Sequence, residues 1–222
     1  MLNTNGTAPI SVIVPSWNYG MFLRECLDSL IAQTVRPERI IIANDASTDD
    51  TQAIAIEYAK RHPSVLPIQN TERRGTIINE NEATKHVSSP WLFFLDADDK
   101  VEPTYIEEAV NVIAAHDDKL AIVYSDMRKF GLWDGDWTVS DWDPVALRSG
   151  NYINGHSIFR TELYREVGGL KDNGNFEDHQ LWVDMLDLNR GYYGVRIPKP
   201  LVWYRRHQYG HRTDNTDLTT RA

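Results

Sequence analysis

Through its first 124 residues the chain alternates short runs of β-branched and aromatic residues with longer segments whose apolar residues recur at helical spacing. Residues 10–14, 39–43, 65–68, 91–95 and 120–124 have the length and composition of buried strands. Between the first two, Phe22, Leu23, Cys26, Leu27, Leu30 and Ile31 share one helical face. Ser47 and Asp50 have capping-box spacing and predict a helix that continues through Ile54, Tyr58 and Ala59. Further helices are predicted over 75–87 and 103–115. Such alternation specifies an α/β fold with a largely parallel sheet. Pro67 removes a ladder donor and moves the third strand to an edge.

Beyond residue 125 the pattern loosens. Residues 126–143 hold Trp133, Trp137 and Trp142 among aspartates and glycines, which suits a loop or ribbon. A last helix is predicted over 177–189, with short strands at 195–197 and 201–204. Residues 1–9 and the polar stretch 213–222 are expected to be flexible. The net charge of −9 argues against a general nucleic-acid binder, although a modified base remains open as a substrate. Cys26 is the only cysteine and lies on an apolar face, so it is expected in the core, in a chain suited to a reducing compartment. No apolar run approaches the ~18–20 residues of a membrane span. A cytoplasmic location is the default expectation, with peripheral contact at a membrane's inner face left open.

Ligands of open α/β sheets bind beyond the carboxyl ends of the strands. Polar clusters fall at three such ends: Ser16-Trp17-Asn18, Asn44-Asp45, and Asp96-Ala97-Asp98-Asp99. The carboxylates of the last cluster repel one another without a nearby cation. In an extended segment Asp96 and Asp98 point the same way and suit Mg²⁺ or Mn²⁺. The same spacing fits a solvated acidic turn, with Asp99 as a cap for the next helix. Asp45 is placed to accept from a base or ribose, or to close a turn. Glu177-Asp178 opens the last helix, where the dipole favours a carboxylate and a general base is well sited; ordinary helix-start preference gives the same pair. The basic segment 204–212 could hold a diphosphate, with His207 as a further metal ligand, or form a solvated edge.

These segments, taken in order, resemble glycosyltransferase family 2. Val12-Ile13-Val14-Pro15-Ser16-Trp17-Asn18 is similar to the family's nucleotide-binding start, and 26–34 to its first helix. Asn44-Asp45-Ala46-Ser47-Thr48-Asp49 resembles its Asp-Asp-Gly-Ser-Thr-Asp turn, Asp96-Ala97-Asp98-Asp99 its DxD motif, and Glu177-Asp178 its catalytic pair. Gly75 and Asn81 fall where the family has a glycine and an asparagine, and the likeness spans about residues 10–209.

The resemblance implies a GT-A fold: one three-layer α/β/α domain over 10–212 with a mostly parallel central sheet. A nucleotide-sugar half (10–125) would precede an irregular acceptor-side half (126–212). It implies an inverting, metal-dependent glycosyltransferase using Mn²⁺ or Mg²⁺ and a nucleotide sugar, most commonly a UDP-hexose. The acceptor would be a glycan, a lipid-linked sugar or another hydroxyl, as in polysaccharide biosynthesis. Pro15, Ser16, Asn18, Asp45, Asn81, Asp96, Ala97, Asp98 and Arg205 would contact the nucleotide sugar. Asp96, Asp98 and His207 would hold the metal, and Asp178 would be the base. Trp133, Trp137, His156, Glu177 and Trp182 would face the acceptor.

Asn44, Ala46 and Glu80 depart from the pattern, at positions where the family has aspartate, glycine and often arginine. These departures keep a non-catalytic sugar-nucleotide-binding module as an alternative. A sugar nucleotidyltransferase or a nicotinamide dehydrogenase would need a glycine-rich phosphate loop after the first strand, and none is there. The absence of a Gln-x-x-Arg-Trp motif points to single additions rather than processive synthesis.

Overall fold

The computed structural model describes residues 2–172 and 176–207. Its first half runs β1 (Ala8–Ser16), α1 (Gly20–Ile31), β2 (Pro37–Asn44), α2 (Thr51–Arg61), β3 (Val65–Gln69), α3 (Thr76–Ala83), β4 (Trp91–Phe94), β5 (Lys100–Val101) and α4 (Tyr105–Ala115). The second half runs β6 (Leu120–Gly131), β7 (Gly135–Trp137), α5 (Pro144–Ser149), β8 (Ile158–Arg160), α6 (Thr161–Glu166), α7 (Glu177–Asp187) and β9 (Tyr193–Arg206).

The strands form one sheet in the order β3-β2-β1-β4-β8-β6-β9-β5, with β7 paired to β6. β3, β2, β1 and β4 are parallel, with Val12 opposite both Ile40 and Phe93. β8 runs antiparallel to both β4 and β6, β9 is parallel to β6, and β5 is antiparallel to β9. The parallel expectation therefore describes the first four strands, and the remainder is mixed.

Alternation along the strands makes the three layers. Ile10, Val12, Val14, Ile40 and Ile42 join one buried cluster with Leu23 and Leu27 of α1, Ile54 of α2 and Ile106 of α4. Ile13, Ile41, Leu92 and Phe94 join the other, with Ala83 of α3, Leu163 of α6 and Trp182 of α7. Each fully buried leucine or isoleucine contributes roughly 1.5–3 kcal/mol of transfer free energy. Cys26 is buried as expected, and β3 with Pro67 is an edge strand.

Two local expectations need correction. The helix after β2 starts at Thr51, and Ser47 does not cap it. Asp49 bonds the first turn instead, accepting from Thr51 N at 3.0 Å and Thr51 Oγ1 at 2.6 Å, while its other oxygen takes Gly20 N at 2.8 Å. The two short C-terminal strands are a single strand, β9, whose register against β6 shifts beside Pro200. The loop or ribbon expected over 126–143 is in part a ribbon, since β6 continues to Gly131 and its Met127, Arg128 and Lys129 pair with β7. No described helix is long and apolar enough to cross a membrane. The segment 208–212 and the tail 213–222 lie outside the described residues.

Candidate active site

The ends of β1 and β2 are fastened to each other through polar side chains. Asn18 and Ala46 both adopt left-handed backbone, with φ of 55° and 58°. Asn18 Oδ1 accepts from Thr48 N at 2.8 Å, and Asn18 N donates to Ser47 Oγ at 2.9 Å. Asn44 Oδ1 accepts from Ser47 N at 3.0 Å. The Asn18 side chain therefore works as a strap between strand ends. Asp45, 3% exposed, accepts from Asn70 Nδ2 at 2.8 Å, Arg74 N at 2.9 Å and Gly75 N at 2.8 Å. Its carboxylate thus fixes the segment leading into α3. Ser16 is buried at the same edge, and its hydroxyl has no partner among the described residues. Trp17 is 42% exposed, with the Arg73 guanidinium 3.5 Å from its ring centre.

Ala46 occupies a left-handed position where the resembled family has glycine. A side chain there costs about 1–2 kcal/mol. Ala46→Gly is expected to raise unfolding free energy by roughly 1 kcal/mol in urea melts; an unchanged or lower midpoint would show the turn to be unstrained.

After β4 the chain enters the acidic loop, which is held from two sides. Asp99 is 1% exposed and accepts from His156 Nε2 at 2.6 Å and Arg205 N at 2.7 Å. His156 Nδ1 lies 3.1 Å from the Phe94 carbonyl. Burial opposes the imidazolium, but the bond to Asp99 and the charges of Asp99 and Asp96 outweigh it and lift the pKa to about 9. Burial pushes the Asp99 carboxyl up. Asp98 pairs with His207 Nε2 at 3.0 Å, and both side chains are under a tenth exposed. Burial first, then the neighbouring Asp99 and Asp96, raise Asp98 to about 8. His207 stacks on Phe22, with ring centres 4.9 Å apart. Arg205 Nε donates to the Asp98 carbonyl at 2.7 Å, and its guanidinium also pairs with Glu25. Asp96 is the open member, its side chain 39% exposed.

A cleft of about 720 Å³ lies beside this loop. Asp96 and Phe94 line it from β4, Arg74 and Glu80 from the α3 side, and Asn154 and His156 from the segment before β8. Glu177 and Asp178 line it from the start of α7, and Trp137 and Tyr204 from β7 and β9. Asp178 Oδ2 accepts from Asn151 Nδ2 at 3.1 Å, and its Oδ1 accepts from His179 N at 2.7 Å. Gly155 backs directly onto this carboxylate, where an added Cβ would lie 3.4 Å from Oδ2.

The expected residues therefore divide. Asp96, Asp178, Glu177, Trp137 and His156 share the cleft, and Asp98 with His207 adjoins it through the acidic loop. His156 has both ring nitrogens engaged beneath that loop, so the expected acceptor-side position becomes one of support. Arg205 is corrected likewise, since its guanidinium clamps the loop backbone and Glu25. Asn81 lies outside the lining because its amide is spent on Leu170 and Tyr164. Ala97 and Pro15 are buried, and Ala97 belongs to the core. Trp182 is 1% exposed against Phe159 within the second core cluster, so it faces no acceptor. Trp133 is 63% exposed, lies off the cleft and sits under Arg206. Lining residues not anticipated include Arg74, Tyr152 and Asp172, and Tyr204 lines it from the segment expected to hold a diphosphate. Arg74 follows from the Asp45 contact, while the others depend on how the second half closes.

The donor set suits Mn²⁺ or Mg²⁺. Asp96, Asp98 and Asp99 stand close together in the acidic loop, and oxygen ligands with one imidazole match these ions. Two groupings share the loop. Asp98 pairs with His207, while Asp96, Asp99 and His156 have ligand atoms within 4.8 Å of one another.

The family model for Glycosyl transferase family 2 matches residues 11–168. Glycosyltransferase YibD of Escherichia coli is 38% identical over 162 residues, covering 72% of this chain and 45% of that protein. Glycosyltransferase GlyA of Streptococcus pneumoniae is 34% identical over 214 residues, covering 86% of this chain and 31% of that protein. The chain thus spans less than half the length of either relative. Among solved structures, residues 1–349 of Staphylococcus aureus TarS with UDP-GlcNAc superpose with a TM-score of 0.76 at 20% identity, covering 93% of this chain and 60% of that one. The mannosyltransferase PcManGT of Pyrobaculum calidifontis, with GDP-Man and Mn²⁺, gives 0.71 at 22%, covering 92% and 59%. Both share the GT-A fold with this chain.

Proposed function

The chain belongs to glycosyltransferase family 2, and from that membership we propose that it moves a hexose from a nucleotide sugar, most simply a UDP-sugar, to an acceptor hydroxyl with inversion. The carrying observation is the meeting of two chain-distant carboxylates, Asp96 at a strand end and Asp178 at a helix start, on one cleft. The nucleotide sugars held by the two solved neighbours support the donor class. The acceptor is a glycan or lipid-linked sugar receiving one residue per encounter, on the cytoplasmic side.

In this reading Pro15 and Ser16 form the nucleoside end, and Asp45 shapes it through the Arg74 and Gly75 backbone. Asp96, Asp98 and His207 would hold a divalent cation, whereas both oxygens of Asp99 and both ring nitrogens of His156 are already engaged within the protein. Bound there, the cation neutralises charge on the departing diphosphate. Asp178, oriented by Asn151, takes the proton of the acceptor hydroxyl. The acceptor oxygen bonds to the anomeric carbon as the bond to diphosphate breaks on the opposite face, which inverts the centre.

The test is nucleoside diphosphate release from UDP-, GDP- and dTDP-sugars with Mn²⁺ or chelator, followed by an acceptor screen. Release from one donor that needs metal supports the proposal; no release and no metal-dependent nucleotide binding removes it. Metal binding carries a pH signature. Asp98 is protonated below its raised value of about 8, and the metal needs the carboxylate. Mn²⁺ affinity by calorimetry is therefore expected to climb by up to ~10-fold per pH unit and level off above pH ~8. A flat profile from pH 6 to 8 would remove Asp98 from the ligand set.

A further inference from the structure

Large apolar side chains stand open to water in the same cleft that holds the carboxylates. Ile78 of α3 is 51% exposed, Trp137 of β7 43%, and Phe176, the residue before α7, 37%; all three line it. Exposed apolar side chains gathered from three elements at one cleft mark a surface that a ligand covers. Phe176 is followed directly by Glu177 and Asp178, so this surface adjoins the group proposed to take the acceptor's proton. Isoleucine offers neither a hydrogen bond nor a flat ring for a pyranose to stack on. The Trp137 ring already has Lys129 Nζ 4.8 Å from its centre. A second observation comes from the ribbon that supplies Trp137. It ends in Leu132 and Trp133, 64% and 63% exposed, so open apolar side chains continue along β6 and β7 beyond the cleft.

We propose that the acceptor is a sugar carried on a hydrocarbon aglycone, an alkyl or isoprenyl chain that lies against Ile78, Trp137 and Phe176. The proposal rests on the glycosyltransferase reading and decides between the two acceptor classes left open there. A glycan laid along this surface gives up water at hydroxyls that find no partner on it, which opposes binding. A hydrocarbon loses no hydrogen bond there and gains by leaving water, in proportion to the area it covers. The sugar it carries still has polar partners at the opening of α7, where Glu177 and Asp178 line the cleft. The two chemistries of the lining thus match the two ends of one acceptor.

The experiment titrates the full chain with matched methyl and hexyl glycosides of glucose, galactose and mannose, kept below micelle formation. Binding is read from the methyl signals of protein labelled with ¹³C at the isoleucine δ1 carbons, and Ile78→Val identifies the Ile78 signal. The hexyl members are expected to shift that signal and to bind about tenfold more tightly than their methyl partners. Ile78→Ser and Phe176→Ser should each narrow that ratio at least threefold. Ile56→Ser, an exposed change on α2, should leave it alone; thermal melts verify the fold of each variant. Equal affinity within every pair overturns the proposal, as do shifts confined to isoleucines off the cleft, or a ratio that neither cleft variant alters. Titration of the same sample with UDP- and GDP-sugars and Mn²⁺ separates the two readings. Donor binding without alkyl preference removes the hydrocarbon acceptor alone. Alkyl preference in a folded chain that binds no donor keeps the apolar subsite and removes the glycosyltransferase reading.

Discussion

Asp178→Ala is expected to lower transfer by about 10²–10⁴-fold, the usual contribution of a positioned general base, while donor binding stays within about threefold of wild type. The separation follows from position. Asp178 stands at the opening of α7 against Gly155 and Asn151, on a different element from the acidic loop. It contributes neither to the Asp98–His207 pair nor to the Asp99–His156 pair. Steady-state transfer and calorimetric donor binding on one preparation give the two numbers. Asp178→Asn keeps the shape and removes the base, so it should be nearly as slow. Transfer surviving in both variants would assign the proton to another group, and parallel loss of donor binding would make Asp178 a donor ligand.

His156→Ala is expected to have the largest effect on stability. It leaves the 1%-exposed Asp99 with the Arg205 amide but without its imidazolium. Breaking a buried pair from one side costs about 3–5 kcal/mol, read as a shift in urea midpoint in chelator. The pH dependence has a definite sign. His156 has a folded-state pKa of about 9, above the ordinary 6.5. Its contribution is therefore complete below pH 6.5 on the imidazole side and is lost as pH rises through 9. Wild-type stability should fall across that window and the gap to the variant should close. A gap independent of pH would mean that His156 acts by packing alone.

Strands β1, β2 and β4 were legible because each is a dense β-branched or aromatic run that is largely buried, with helices between, while β3 showed through its apolar run despite Pro67. The ends of those strands were equally legible, since polar residues follow the apolar runs abruptly. What could not be read was how β8 enters the sheet. Its three residues carry no long pattern, yet pairing Phe93 with Ile158 in antiparallel register brings His156 beside the acidic loop. Without that pairing, Asp99 looked like a cap and His156 like an acceptor contact. Trp182 misled for a different reason. It lies one turn after Asp178, but the buried stripe of α7 runs through Leu181, Trp182 and Met185. Pro198 and Pro200 made one strand look like two. Ser47 lost its capping role because Asp49 reaches both α2 and the start of α1.

The grip of β9 on the acidic loop also sets an order of events during synthesis. Arg205 meets the Asp98 carbonyl across 107 residues of chain, and β9 has to settle beside β6 before that contact exists. At ribosomal speeds of about 5–20 residues per second, the nascent chain carries Asp98 and Asp99 for roughly 5–20 s before their last partners are made. The parallel strands β1 to β4 can assemble in that interval. The carboxylates proposed to hold the metal are completed only when the end of β9 emerges, so newly made protein should gain its fold first and its cation affinity afterwards.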